Sequence, residues 1–335
     1  MGPAVAVTII MRTRERRVLL RRALEDVCTQ SWQDWHLVVV NDGGDPGDVE
    51  QIVSEQSELS GRVTILHNEV PRGRGVALNQ ALSVSESQYI AIHDDDDTWH
   101  PSFLATTIAQ LEATGEAAVA VRTEIVWERV DGSSIVEEDR EIFMPDVREL
   151  SLFHLLRTNR YVPISTVHRR EVHDEIGLFR EDVTVVEDWE FLLRLAQTGR
   201  PMGFIDSKPL AFWHQRPQAS GTLSNSVFDL EREHRRFDLL IRDEALREHA
   251  RRYGLGALLY FTGYFQREFD HVHGRLRVGE GLTTQVLDVL ARQAELLEQQ
   301  RERLAALERA TLAGLARRGL RRVRGMAGSP ARIHR

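Results

Sequence analysis

The chain has 335 residues, 42% of them hydrophobic and 28% charged, and carries a net charge of −8. It is long enough for one domain of more than ~200 residues plus an appendage, with the balance of a soluble globular protein and no overall basic field that would draw it to nucleic acid. Its one cysteine, Cys28, excludes an internal disulfide framework and points to a reducing, cytoplasmic compartment.

No stretch reaches the ~18 apolar residues needed to span a bilayer. The first apolar run is followed, not preceded, by arginines, so it predicts a buried strand, Val5 to Met11, rather than a signal peptide. Apolar residues at Val18, Leu19, Ala23, Leu24 and Val27 predict a helix over Val18 to Thr29, in which Cys28 is a small apolar residue rather than a nucleophile. Strand Trp35 to Val40 runs into the turn-forming Asn41 to Pro46. Helix Val49 to Leu59, strand Arg62 to Leu66, helix Val76 to Ser83 and strand Tyr89 to His93 complete an alternation. Short apolar strands separated by helices predict a mostly parallel sheet covered on both faces. Ligands collect beyond the carboxyl ends of such strands, the edge to which Asp42 and Asp94 to Asp97 belong.

Pro101 opens a helix over Ser102 to Thr114, and Asp131-Gly132 turns a hairpin between Ala117 to Glu128 and Ser134 to Val136. Leu150 to Arg157 and Trp189 to Gln197 read as helices, and Pro209 to His214 as a final strand. Pro217 to Asn225 reads as a mobile segment or boundary. Beyond it, residues 226–280 form a helical extension. Residues 281–316 form a long helix with Leu290, Leu297 and Leu304 at seven-residue spacing, a pattern that suits a coiled coil or a helix packed on its own domain. The stretch 317–335 has seven arginines and no acid, and reads first as a disordered tail. A contact with the inner face of a membrane or with a polyanion is its other reading.

The feature most in need of a cause is the four consecutive aspartates, Asp94 to Asp97, at a strand end. Adjacent carboxylates repel one another. A divalent cation converts that repulsion into shared coordination by hard oxygen ligands. The competing explanation is a solvated acidic loop in which Asp97 caps the next helix.

Residues 5 to about 220 resemble the inverting family 2 glycosyltransferases, which have the GT-A fold. The matching segments come in the family's order: Val7 to Arg16, Val38 to Gly44, Arg74 to Asn79, Asp94 to Asp97 followed by Pro101, and Ile176 to Phe179 followed by Glu187-Asp188-Trp189-Glu190. The resemblance implies an α/β, Rossmann-like, mixed but mostly parallel sheet flanked by helices over residues 1–225, followed by the α-helical extension. It implies a nucleotide-sugar donor, with a UDP- or dTDP-sugar favoured and a GDP-sugar open. It also implies a glycan or glycolipid acceptor, and Mn2+ or Mg2+ as cofactor.

By the same resemblance Asp96 binds the metal, and His214 is a further ligand. Asp94 meets the ribose or a metal-bound water, Asp95 the nucleotide side, and Asp42 an N–H of the base. Thr13 and Glu15 line the base and ribose pocket. The family usually has Pro at position 12 and Asn at position 15, so Arg12 and Glu15 depart from it. Arg74 is a fixed charge near the diphosphate, with Arg72 two residues away as its rival and Arg216 a further phosphate contact. Asp188, beside Glu187, is the general base. Ser220 to Asn225 would be a lid, and Trp99, Trp127 and Trp189 are candidates to stack on sugars.

Other readings of the same residues remain at this point. A nucleotidyltransferase or phosphohydrolase could use these carboxylates, although Arg12 to Glu15 contains none of the glycines of a phosphate loop. A non-catalytic nucleotide-binding assembly protein could instead act through its C-terminal helix, by self-association or by recruiting a partner.

Overall fold

Runs rich in β-branched and aromatic residues make the first strands: β1 (Val7–Thr13), β2 (Trp35–Asp42), β3 (Val63–Asn68) and β4 (Tyr89–Ile92). The computed structural model describes residues 5–132 and 134–326, with the side chains of 279, 280 and 304–326 excepted. Helices α1 (Arg17–Cys28), α2 (Pro46–Ser54) and α3 (Arg74–Ser83) connect the four strands. The α2 helix begins three residues before its apolar periodicity suggests. Asp45 caps it by accepting from the Gly47 N–H, and Pro46 takes the first helical position.

Next come β5 (Thr98–Trp99), α4 (Phe103–Thr114), β6 (Ala118–Val121), β7 (Thr123–Asp131), β8 (Ser134–Ile142) and α5 (Leu152–Arg157). They are followed by β9 (Thr166–Arg169), α6 (Val172–Ile176), α7 (Glu187–Gln197), β10 (Met202–Ile205) and β11 (Ala211–Gln215). The helical end comprises α8 (Ser226–Asp229), α9 (Glu231–Tyr253) and α10 (Gly256–Met326).

Seven strands form the main sheet in the order β10-β6-β9-β4-β1-β2-β3. All its pairings are parallel except those of β9, which lies antiparallel to both β4 and β6. Residues of β1 alternate between two cores. Val7, Ile9 and Met11 join one, and Ile10 joins the other. This is how a sheet covered on both faces reads in sequence.

A second sheet has the order β5-β11-β7-β8. The stretch expected as one strand from Ala117 is divided between the two sheets: Arg122 separates β6 from β7. The charged β8 extends past the expected Val136 to Ile142 because it is an exposed edge strand, where charges discourage further pairing. The short strands β9 and β10 were not anticipated; neither is long enough to leave a periodic signal.

The chain divides into two compact units, one ending at Arg247 and one beginning at Glu248. In the second, α10 runs unbroken through the boundary expected at 280/281 and into the Arg-rich stretch as far as Met326; residues 327–335 lie outside the described residues. Leu290 and Leu297 are exposed on it, and the Leu304 side chain is outside the described set. Among the described residues no helix is long and apolar enough to cross a membrane.

One close approach sets the start of α3 against the chain that follows α6. A Cβ on Gly75, in the first turn of α3, would lie 2.0 Å from the Arg180 carbonyl oxygen. Gly75→Ala is therefore expected to cost about 1–3 kcal/mol through overpacking, which thermal unfolding measures directly.

Candidate active site

β1, β2 and β4 lie side by side and parallel, so their carboxyl ends deliver three loops to one edge. A cavity of about 820 Å3 opens there. Thr13, Asp42, Arg74, Asp94, Asp95 and Asp96 line it, and Asp188 reaches it from the first turn of α7. Of the residues singled out in the sequence for this site, Glu15, His214 and Arg216 are not in the lining; Arg216, expected at a phosphate, is buried against Asp96 and Glu128 instead. Arg72 is exposed and outside it, so of the two rival arginines Arg74 faces the cavity.

The charges are arranged in a definite pattern. Arg12, where the family usually has proline, donates from Nη2 to Asp94 and from Nη1 to Glu187, each at 2.6 Å. It thereby ties the aspartate loop to the start of α7. Arg16 donates to Asp95 at 3.0 Å and to Asp96 at 3.1 Å. The same guanidinium also donates to the carbonyls of Thr222 and Ser224. The segment read as a lid thus forms a short turn, Gly221–Leu223, fastened to the aspartates; Asn225 adds a bond to Asp96 at 3.2 Å. Asp42 accepts the backbone N–H groups of Arg72 and Gly73 and the amide of Asn68, so it anchors the loop before α3 while facing the cavity.

Behind the aspartates lies a buried ionic network with no advance sign in the sequence. Glu128 sits at a register shift in β7 and is 3% exposed. It accepts from Arg22, from Arg216 and from Nδ1 of His214, each at 2.6 Å. Burial pushes its carboxyl up, but the hydrogen bonds and charges of His214 and Arg22 outweigh that and hold it at about 2. Arg216 is fully buried and also donates to Asp96 from behind. Together with Arg16 and Arg22 it keeps the Asp96 carboxyl below its ordinary value despite burial. Asp97 is buried and accepts the His214 N–H at 2.8 Å, so it does not cap a helix.

The aspartate cluster suits a hard divalent cation. Asp94, Asp95 and Asp96 present carboxylates to the cavity, and Asp95 Oδ2 is buried without a hydrogen-bond partner. His214 is arranged otherwise: Nδ1 meets Glu128 and Nε2 meets the Thr98 hydroxyl at 2.8 Å, so both ring nitrogens are engaged. Among the described residues no three His, Cys, Asp or Glu side chains close around one point as a metal cage.

Asp188 is partly buried and accepts from Asn159 Nδ2 at 2.9 Å. Burial, and then the neighbouring Glu187, push its carboxyl up to about 6, against the Asn159 bond and the Arg12 charge. Such a group is ionised at neutral pH yet takes up a proton more readily than an ordinary carboxylate. Before it, Val186 adopts φ +62°, a costly conformation for a β-branched residue and one that fixes where α7 begins. The tryptophans proposed for stacking lie elsewhere. Trp99 and Trp189 are core residues that donate to the Ile164 and Leu155 carbonyls, and Trp127 is not in the lining. Cys28 is half-buried against the core, and burial raises its thiol to about 11.

Comparison with known proteins follows this geometry. The family described as Glycosyl transferase family 2 matches residues 8–175, half of the chain. The uncharacterized glycosyltransferase YwdF of Bacillus subtilis is 26% identical over 195 residues, covering 58% of this chain and 69% of its own length. The O-antigen biosynthesis protein RfbC of Myxococcus xanthus is 25% identical over 208 residues, 62% of this chain but 15% of RfbC. Among solved structures, residues 1–349 of S. aureus TarS in complex with UDP-GlcNAc superimpose with a TM-score of 0.53 at 16% identity. That match covers 66% of this chain and 61% of TarS, and it shows a shared fold.

Proposed function

The chain belongs to glycosyl transferase family 2 and is a glycosyltransferase, and from that premise we propose that it is a metal-dependent, inverting enzyme moving one sugar from a nucleoside-diphosphate sugar to an acceptor hydroxyl. The observation that carries this reading is the meeting, on one cavity, of the strand-end residues Thr13, Asp42 and Asp94 to Asp96 with Asp188, a carboxylate whose pKa is raised to about 6. The cavity has the size of a small-molecule site, and it holds both a set of oxygen ligands for a cation and a base.

In this reading Thr13 and Asp42 receive the nucleoside. With Asp94 at the ribose or a metal-bound water and Asp95 on the nucleotide side, Asp96 would hold Mn2+ or Mg2+, which when bound neutralises charge on the donor diphosphate. Arg74 adds a fixed positive charge beside it. Asp188 takes the proton from the acceptor hydroxyl while that oxygen bonds to the anomeric carbon from the face opposite the phosphate. The bond from anomeric carbon to phosphate oxygen breaks, and nucleoside diphosphate departs with the electron pair. A product of inverted configuration follows from the single displacement. The polysaccharide-related name of RfbC supports a role in surface polysaccharide or glycolipid synthesis.

The test is incubation with Mn2+ and a panel of UDP-, dTDP- and GDP-sugars, with and without acceptor glycans. Release of nucleoside diphosphate with inverted transfer supports the proposal. Release of pyrophosphate or monophosphate overturns it in favour of a nucleotidyl or phosphohydrolase reaction, and tight nucleotide binding without turnover overturns it in favour of an assembly role. Asp96→Asn keeps the hydrogen-bond geometry toward Arg216 and Asn225 but removes the charge. It is expected to weaken Mn2+-dependent nucleotide binding about tenfold or more by calorimetry, while binding measured without metal changes little.

A further inference from the structure

One wall of the cavity takes no part in the roles described so far. Trp213 and Gln215 lie two residues apart on β11 and both line the cavity, while His214 between them points the other way, into Glu128. Trp213 is partly exposed and meets the partly exposed Phe143 edge to face, with ring centroids 5.2 Å apart. Pro163 continues the wall and, with Asp188, borders a second small cavity beneath it, so the aromatic pair and the base belong to one continuous surface. Gln215 is 1% exposed. Its Nε2 donates to the His214 carbonyl at 3.1 Å, but its Oε1 has no hydrogen-bond partner.

A buried amide oxygen without a donor, on a side chain that lines a cavity, is a destabilising arrangement unless a small movement of that side chain lets something entering the cavity satisfy it. The nucleoside and diphosphate are assigned to the strand ends at Thr13, Asp42 and Asp94 to Asp96. The donor's own sugar and the acceptor remain; the group held here must offer an apolar face to an indole and an O–H or N–H to an amide oxygen, and its place beside the base is that of the acceptor, whose hydroxyl gives up the proton. A pyranose ring offers both: its axial C–H groups form an apolar face, and its rim carries hydroxyl donors.

We propose that Trp213, Phe143 and Gln215 form the acceptor subsite, with the indole under the terminal sugar ring of the acceptor and one of that ring's hydroxyls donating to Gln215 Oε1. The proposal rests on the glycosyltransferase reading and deepens it: the acceptor is recognised as a carbohydrate, through the sugar that receives the new bond.

The test is saturation-transfer NMR of the full chain with methyl glycosides of glucose, galactose, mannose, rhamnose and N-acetylglucosamine. UDP and GDP binding is measured in parallel by calorimetry with Mn2+. The wild-type protein is expected to bind at least one glycoside. Trp213→Leu, which keeps an apolar side chain on the core, is expected to weaken that binding about tenfold and to leave nucleotide binding within about twofold. Gln215→Leu should weaken it similarly. Because it removes an unsatisfied buried acceptor, its melting temperature should equal or exceed that of the parent, an outcome a merely structural glutamine would not give.

The subsite is overturned if the wild-type protein binds nucleotide but none of these glycosides, or if both variants bind glycosides as the parent does. Loss of nucleotide affinity in parallel with glycoside affinity overturns it as well, and so does a loss of UDP-glucose or GDP-mannose affinity that UDP and GDP do not share, since the wall would then serve the donor. Failure of the wild-type protein to bind any nucleotide is a different result, and refutes the glycosyltransfer reading itself.

Discussion

Asp188→Asn is expected to cut glycosyl transfer by about two to four orders of magnitude while leaving donor binding within about twofold, because the amide cannot take the acceptor's proton but keeps the carboxylate's shape and can still accept from Asn159. In the proposed mechanism, the same group sets the acid side of the parent's pH–rate profile. Below pH about 6 the carboxyl is protonated and cannot act, so kcat/KM should rise through that value and level off above it. Stability should move in the opposite direction. The unfolded chain's carboxyl titrates near 3.8, whereas the folded protein holds the proton up to about 6. Ionising Asp188 therefore weakens the fold progressively from about pH 4 to pH 6, and that cost persists above. The asparagine variant escapes it. It should match the parent's stability below pH 4 and exceed it at pH 7.5 by at most ~3 kcal/mol, measured by denaturant unfolding at the two pH values. Full transfer activity in the variant would show that another group is the base.

What could be read in the chain beforehand was what a strand end carries. Asp94 to Asp97 stood out because four adjacent carboxylates demand a compensating charge, and Asp42 could be placed because a strand of β-branched residues announces where it stops, whereas Thr13 was named through the family resemblance. The compensation in the folded chain is partly protein: Arg12 and Arg16 ion-pair with Asp94, Asp95 and Asp96, and Arg216 adds a bond to Asp96. An arginine-rich loop after the first strand hinted at this through its charge alone.

What could not be read was which face a residue takes. Glu15 follows β1 with φ +54° and ends exposed, outside the cavity lining, a turn that no periodicity signals. His214 was placed correctly at a strand end, but alternation along β11 sends it toward Glu128 and leaves Trp213 and Gln215 on the cavity. Glu128 was invisible because β7 looked like the continuation of β6, and the change of sheet at Arg122 is made by tertiary pairing. In the last third, a boundary was expected at 280/281, yet α10 passes through it and through the flanking Gly279 and Gly281; a glycine costs a helix only about 1 kcal/mol, which its long flanking segments offset.

Neutralising Glu187 and neutralising Arg12 are expected to move the acid limb of the pH–rate profile in opposite directions. Glu187 raises the proton affinity of Asp188 and Arg12 lowers it. Glu187→Gln should therefore bring the limb below pH 6 and make the enzyme relatively more active in mild acid; Arg12→Met should carry it above. Their effects on folding differ as well. Arg12 is the partner that the structure gives to the buried Glu187, whose Oε2 already lacks a hydrogen bond. Removing the arginine leaves that charge uncompensated and is expected to cost about 3–5 kcal/mol. Glu187→Gln costs less, because the arginine keeps Asp94. The double variant removes the charge at position 187 that Arg12→Met leaves uncompensated, so it should recover much of what Arg12→Met loses. A double-mutant cycle would show that recovery as a coupling energy of more than about 1 kcal/mol. The pair thus links the aspartate loop to the base both energetically and through its titration. If neither single variant moves the limb, the group that titrates near pH 6 in the enzyme is not the carboxylate flanked by Glu187.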